Sequence, residues 1–88
     1  MIKKEFTVVN KFGLHARPAA QLVKLANTFE SEIWVEKDSE QVNGKSIMGL
    51  MMLAAGHGST ITVSVDGGDE EDALAAVEEL INSGFKEE

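Results

Sequence analysis

Residues 59–65 read Ser-Thr-Ile-Thr-Val-Ser-Val, with Ile61, Val63 and Val65 at alternate positions and Thr60, Thr62 and Ser64 between them. Successive side chains of a strand point to opposite faces, so this run predicts a central strand with one apolar face that something else must cover. The same period appears at the start, where Ile2, Phe6 and Val8 alternate with Lys3, Glu5 and Thr7, and again where Ile33 and Val35 alternate with Glu32, Trp34 and Glu36. Residues 40–43 are expected to add a short edge strand, closed by the turn Asn43-Gly44. The segments between have the helical period instead. Ala19, Leu22, Val23 and Ala26 share one face, Leu50 and Leu53 another, and Ala73, Val77, Leu80 and Ile81 a third, which Asp69 is expected to cap and Gly84 to end. The order is βαββαβα. Strands with one apolar face and helices that each need cover predict an α+β open-faced sandwich, an antiparallel four-stranded sheet with three helices on one face. Residues 1–88 suffice for one domain with one modest core.

The composition narrows the chemistry. With no cysteine the fold must stand on packing, without disulfides or thiolate chemistry. No glycine-rich nucleotide loop is present, so phosphate chemistry would have to draw on another protein. The opening Met-Ile-Lys-Lys-Glu-Phe-Thr lacks an apolar run long enough for a signal peptide or a membrane span, which makes the cytoplasm the expected location. A net charge of −7 argues against general nucleic-acid binding. That charge is unevenly placed. Residues 1–29 carry Lys3, Lys4, Lys11, Arg17 and Lys24 against Glu5 alone, while residues 66–88 carry nine acids against Lys86. A basic face on an acidic molecule would steer an acidic partner, although the acidic end also reads simply as a solvated helix face.

The only arginine and the only proline fall together in Gly13-Leu14-His15-Ala16-Arg17-Pro18-Ala19. A helical period begins just after, so His15 is expected at the helix start, with Pro18 in the first turn where a missing N–H costs nothing. The backbone N–H groups of Ala16 and Arg17 and the positive end of the helix dipole would favour an anion there, by about 0.3–1 kcal/mol at an exposed site. An imidazole is a nucleophile near neutral pH, and Arg17 would bring a movable countercharge. A histidine at a helix start is also a common surface residue, so the assignment depends on the cluster.

A second helix start lies at Lys45-Ser46, with Ser46 as N-cap, followed by Ile47-Met48-Gly49-Leu50-Met51-Met52-Leu53. A helix of about eight residues spans only ~12 Å, too short to be covered all round by so small a domain. If Leu50 and Leu53 face the core, Ile47, Met48 and Met51 lie outside, where flexible methionines suit docking to several partners; the alternative is that they fill gaps inside. Trp34 reads as packing over the open sheet face, and His57, between two glycines, as a loop residue without metal-ligand neighbours.

The two runs, residues 13–19 and Lys45-Ser46-Ile47-Met48-Gly49, resemble HPr, the histidine-containing phosphocarrier family of the bacterial phosphoenolpyruvate-dependent phosphotransferase system, across essentially all 88 residues. The resemblance implies sheet order 1-4-2-3 and phosphorylation of His15 on Nδ1 by Enzyme I. It also implies delivery of that phosphate to the A domains of sugar-specific enzymes II. Arg17 would be the countercharge, with Ala16, Arg17 and Pro18 around the phosphate. Leu14, Lys24, Ile47, Met48 and Met51 would dock partners, and Ser46 would be the target of a regulatory kinase. The protein would then work as a monomer, without cofactor or metal, as a carrier and not an enzyme with its own turnover. The alternative is a regulatory, nitrogen-type carrier or interaction module that feeds no transporter.

Overall fold

The structure, a computed structural model, describes residues 1–86. Its elements are β1 (Ile2–Thr7), α1 (Ala16–Ala26), β2 (Glu32–Lys37), β3 (Glu40–Asn43), α2 (Ile47–Met52), β4 (Thr60–Asp66) and α3 (Glu70–Asn82), then a 3-10 turn over Gly84–Lys86. The strands pair antiparallel in the order β1-β4-β2-β3, with the helices packed against one face, so β4 is central and β3 lies at an edge. In the register Ile61 faces Phe6, and Val63 and Val65 face Val35 and Ile33 of β2. These side chains are buried together with Leu22 of α1, Leu50 of α2 and Val77 and Ile81 of α3. Burying each aliphatic of this size contributes about 1.5–3 kcal/mol, which is how a chain without disulfides holds together.

Three details differ from what the pattern suggests. Lys4, two residues from Phe6 and therefore on the helix side of β1, pairs with Glu78 of α3 at 2.8 Å and lies 5.8 Å from the centre of the Phe6 ring. An inward lysine on an edge strand also discourages pairing with a foreign strand. Asp69 stands at the N-cap position of α3 but makes no capping bond. Its carboxylate instead accepts from the backbone N–H groups of Glu30 and Ser31, at 2.9 Å each, and from the Ser31 hydroxyl. The Ser31 hydroxyl first, then the Glu30 N–H, hold this carboxyl below its ordinary range. Finally, α2 has six residues, and Phe85, just past Gly84, is buried with φ +57°.

Candidate functional site: an uncapped helix mouth beside an apolar shelf

The approach to α1 is fastened before the helix begins. Buried Asn10 donates from Nδ2 to the Gly13 carbonyl at 2.7 Å. Gly13 has φ +67°, and a Cβ there would run into the carbonyl oxygen of Ala55, so only glycine fits the turn. The next residue donates its N–H to that same Ala55 carbonyl at 2.8 Å. The segment entering α1 is thus strapped to the turn that leaves α2.

His15 then takes the N-cap position in an extended conformation, with no side-chain capping bond and no acid in the first turn of α1. Its carbonyl accepts the first intrahelical bond, from Ala19 at 3.0 Å. Helix geometry leaves the N–H groups of Ala16 and Arg17 ahead of that bond without intrahelical partners. Arg17 is exposed, and Lys24, seven residues on, lies along the same side of the helix, also exposed. The His15 ring is half-buried and meets the edge of Phe12 at 6.0 Å between centroids and 88° between planes. Beside it a hollow of about 270 Å³ is lined by Phe12, Leu14, His15 and Met51 with the 54–56 turn. Phe12 is 68% exposed, and the Lys11 ammonium lies 5.3 Å from its ring centre.

At the second mouth Ser46 is the N-cap of α2, its Oγ accepting from the Gly49 N–H at 3.0 Å. The Lys45 ammonium donates to the Phe29 carbonyl at 3.0 Å, tying this mouth to the end of α1. Leu50 and Leu53 are buried, whereas Ile47 (41%), Met48 (74%), Met51 (43%) and Met52 (68%) are exposed. At 3.6 residues per turn these four span about 140° of arc. The methionines therefore do not fill the core. Met51 joins their patch to the His15 hollow.

The structure brings together His15, Ala16 and Arg17, and it exposes Ile47, Met48 and Met51 as a shelf. Two of the expected residues lie away from solvent. Leu14, expected on the docking surface, is 4% exposed, part of the core and of the floor of the hollow, with its backbone N–H bonded to Ala55. Pro18, expected around the phosphate, is buried and has no N–H to offer; its part is to fix the first turn. Sequence reasoning missed Phe12 and Met52. An aromatic in a Lys-Phe-Gly loop has no periodicity to mark its face, but its position three residues before His15 was a usable signal. His57 is exposed in its loop. Among the described residues no helix is long and apolar enough to cross a membrane.

A family model described as "PTS HPr component phosphorylation site" matches residues 2–83. The curated phosphocarrier protein HPr of Neisseria meningitidis is 49% identical over 87 residues, covering 99% of this chain and 98% of its own. The HPr-like protein Crh of Halalkalibacterium halodurans is 56% identical over 77 residues, covering 88% and 92%. The crystal structure of an HPr from Thermoanaerobacter tengcongensis superposes with a TM-score of 0.96 at 50% identity, over 100% of this chain and 99% of that one.

Proposed function

The chain belongs to the HPr family of the phosphotransferase system, and from that premise we propose that His15 takes a phosphoryl group from phosphorylated Enzyme I and passes it to the A domain of an enzyme II during sugar uptake. The observation that carries this reading is the mouth of α1, where an imidazole stands at a helix start with no acid in the first turn. On loading, a ring nitrogen of His15 attacks phosphorus in line, the N–P bond forming as the donor's bond to phosphorus breaks; on delivery that N–P bond breaks as the acceptor's nucleophile attacks. The charge that accumulates on the phosphoryl oxygens meets the N–H groups of Ala16 and Arg17, the helix dipole and the Arg17 guanidinium. The mouth is shallow, so the group is held without being trapped. Lys24, Ile47, Met48 and Met51, with Phe12 and Met52 added, form the face on which acidic and apolar partner surfaces dock. The protein acts as a single chain in the cytoplasm and is a substrate of its partners, turning nothing over alone.

A second reading has an observation of its own. The closeness to an HPr-like protein named Crh and the cap at Ser46 favour an added regulatory role, in which an ATP-dependent kinase of the HPr kinase/phosphorylase type phosphorylates Ser46. A phosphoserine is electrostatically welcome at a helix start, so the fold would persist while a dianion beside Ile47 and Met48 repels an acidic partner.

Incubation with phosphoenolpyruvate and Enzyme I, and separately with the kinase and ATP, separates the two. The transport reading expects acid-labile phosphate that is lost in His15→Ala. Acid-stable phosphate alone, appearing only with kinase and ATP and lost in Ser46→Ala, would leave the regulatory role by itself.

A further inference from the structure

The chain has four methionines and no cysteine, so thioethers are its only sulfur and no thiol competes for an oxidant. Three of the four lie on the six residues of α2, and Met48 and Met52 are its most exposed apolar residues at 74% and 68%. Met51 reaches the hollow beside His15. The fourth, Met1, is equally exposed at 69% but stands apart from α2, its ammonium between Asp66 and Glu70, so oxygen added there is not expected to affect docking.

We propose that Met48, Met51 and Met52 are a peroxide-sensitive modification site, whose conversion to sulfoxides closes the docking face of α2 to partners while leaving the fold intact. The inference rests on the reading of that face as a docking surface. In the reaction a lone pair on sulfur attacks one oxygen of a hydroperoxide, the O–O bond breaks and the S–O bond forms. Sulfur is oxidised by two electrons, and the peroxide leaves as water or an alcohol once a proton has shifted. The product replaces a flexible apolar side chain with a strongly polar one. In the free protein the sulfoxides remain in water, because Leu50 and Leu53, not the methionines, anchor α2 in the core. On docking, each S–O dipole must be stripped of water, and the cost falls on the complex alone. Methionine sulfoxide reductases, with a thiol as reductant, reverse the change.

The test treats the full chain with hydrogen peroxide, maps added oxygen by peptide mass, and follows phosphorylation by Enzyme I and phosphoenolpyruvate at carrier concentrations from well below to well above KM. The expected result is oxygen at Met48, Met51 and Met52, an unchanged melting transition, and a fall of about tenfold or more in kcat/KM, seen chiefly as a raised KM. Treatment with the reductases should restore the rate. A chain oxidised at all three positions that is phosphorylated at its original rate overturns the proposal, as does a collapsed melting transition, which would make the damage structural. Met48→Leu/Met51→Leu/Met52→Leu, compared with its own untreated sample, should lose nothing on peroxide treatment; a loss as large as that of the unsubstituted chain would place the sensitivity elsewhere. Failure of the untreated chain to take phosphate at all would instead strike the transport reading itself.

Discussion

The mouths of α1 and α3 use one physical feature in opposite ways. α3 opens with Glu70, Glu71 and Asp72, so its positive end is balanced by its own carboxylates. Glu70 also accepts from the Gly67 N–H at 3.0 Å and lies 3.4 Å from the N-terminal ammonium, and the Gly67 bond holds its carboxyl below the ordinary range. α1 has no acid in its first turn, and its N-cap His15 makes no side-chain capping bond. A helix dipole can stabilise the chain that makes it or a charge that arrives from outside. In α3 it does the first, and α1, with no carboxylate in its own first turn, is suited to the second.

The contrast can be broken most severely at Gly13. Gly13→Ala must hold a left-handed backbone and push its Cβ into Ala55, dislocating the strap that carries His15; it should cost roughly 2 kcal/mol or more, measured by urea unfolding, and slow phosphorylation with it. Ala16→Glu tests the comparison more finely, because it writes the α3 design into α1. Thermal stability should hold or rise by about 0.3–1 kcal/mol while kcat/KM for phosphorylation falls about tenfold. Equal rates with and without the glutamate would mean that the bare mouth is irrelevant. Ser46→Ala removes the cap of α2 and should cost about 1 kcal/mol with His15 phosphorylation retained.

The smallest effect is expected in acid. Asp69 and Glu70 are held below their ordinary values of 3.8 and 4.5, so what they contribute is fully present above those values. It is lost as pH falls through their lower folded-state values. Urea midpoints followed from about pH 5 to about pH 2 should decline, and Asp69→Asn should flatten part of that decline. A slope indifferent to Asp69 would put the acid sensitivity outside the α3 mouth.

What the sequence shows and what it hides follow from the range of the interactions. The alternation in β2 and β4, the apolar stripe of α1 and the helix starts at His15 and Ser46 were legible because they depend on neighbours in the chain. Ser46 caps Gly49, three residues away, as its local pattern suggests. Asp69 has an equally good capping pattern, yet its carboxylate goes to Glu30 and Ser31, thirty-nine and thirty-eight residues distant, and no local rule reports that competitor. The burial of Leu14 and the exposure of Phe12 were hidden for the same reason. Both sit in a non-repeating loop, and which of them turns inward is decided by the bond from residue 14 to Ala55, which closes only when the α2–β4 turn is in place. The outward Met48 and Met51 were anticipated because a short helix in a small domain has too little protein around it to bury every side.

The most direct test is a ¹H–¹⁵N and ³¹P spectrum of the chain before and after phosphorylation by Enzyme I. The account expects one phosphorus signal on the His15 ring, with the largest amide shifts at Ala16 and Arg17 and almost none at residues 69–72. A signal on another residue, or amide shifts as large at the start of α3 as at the start of α1, would contradict it.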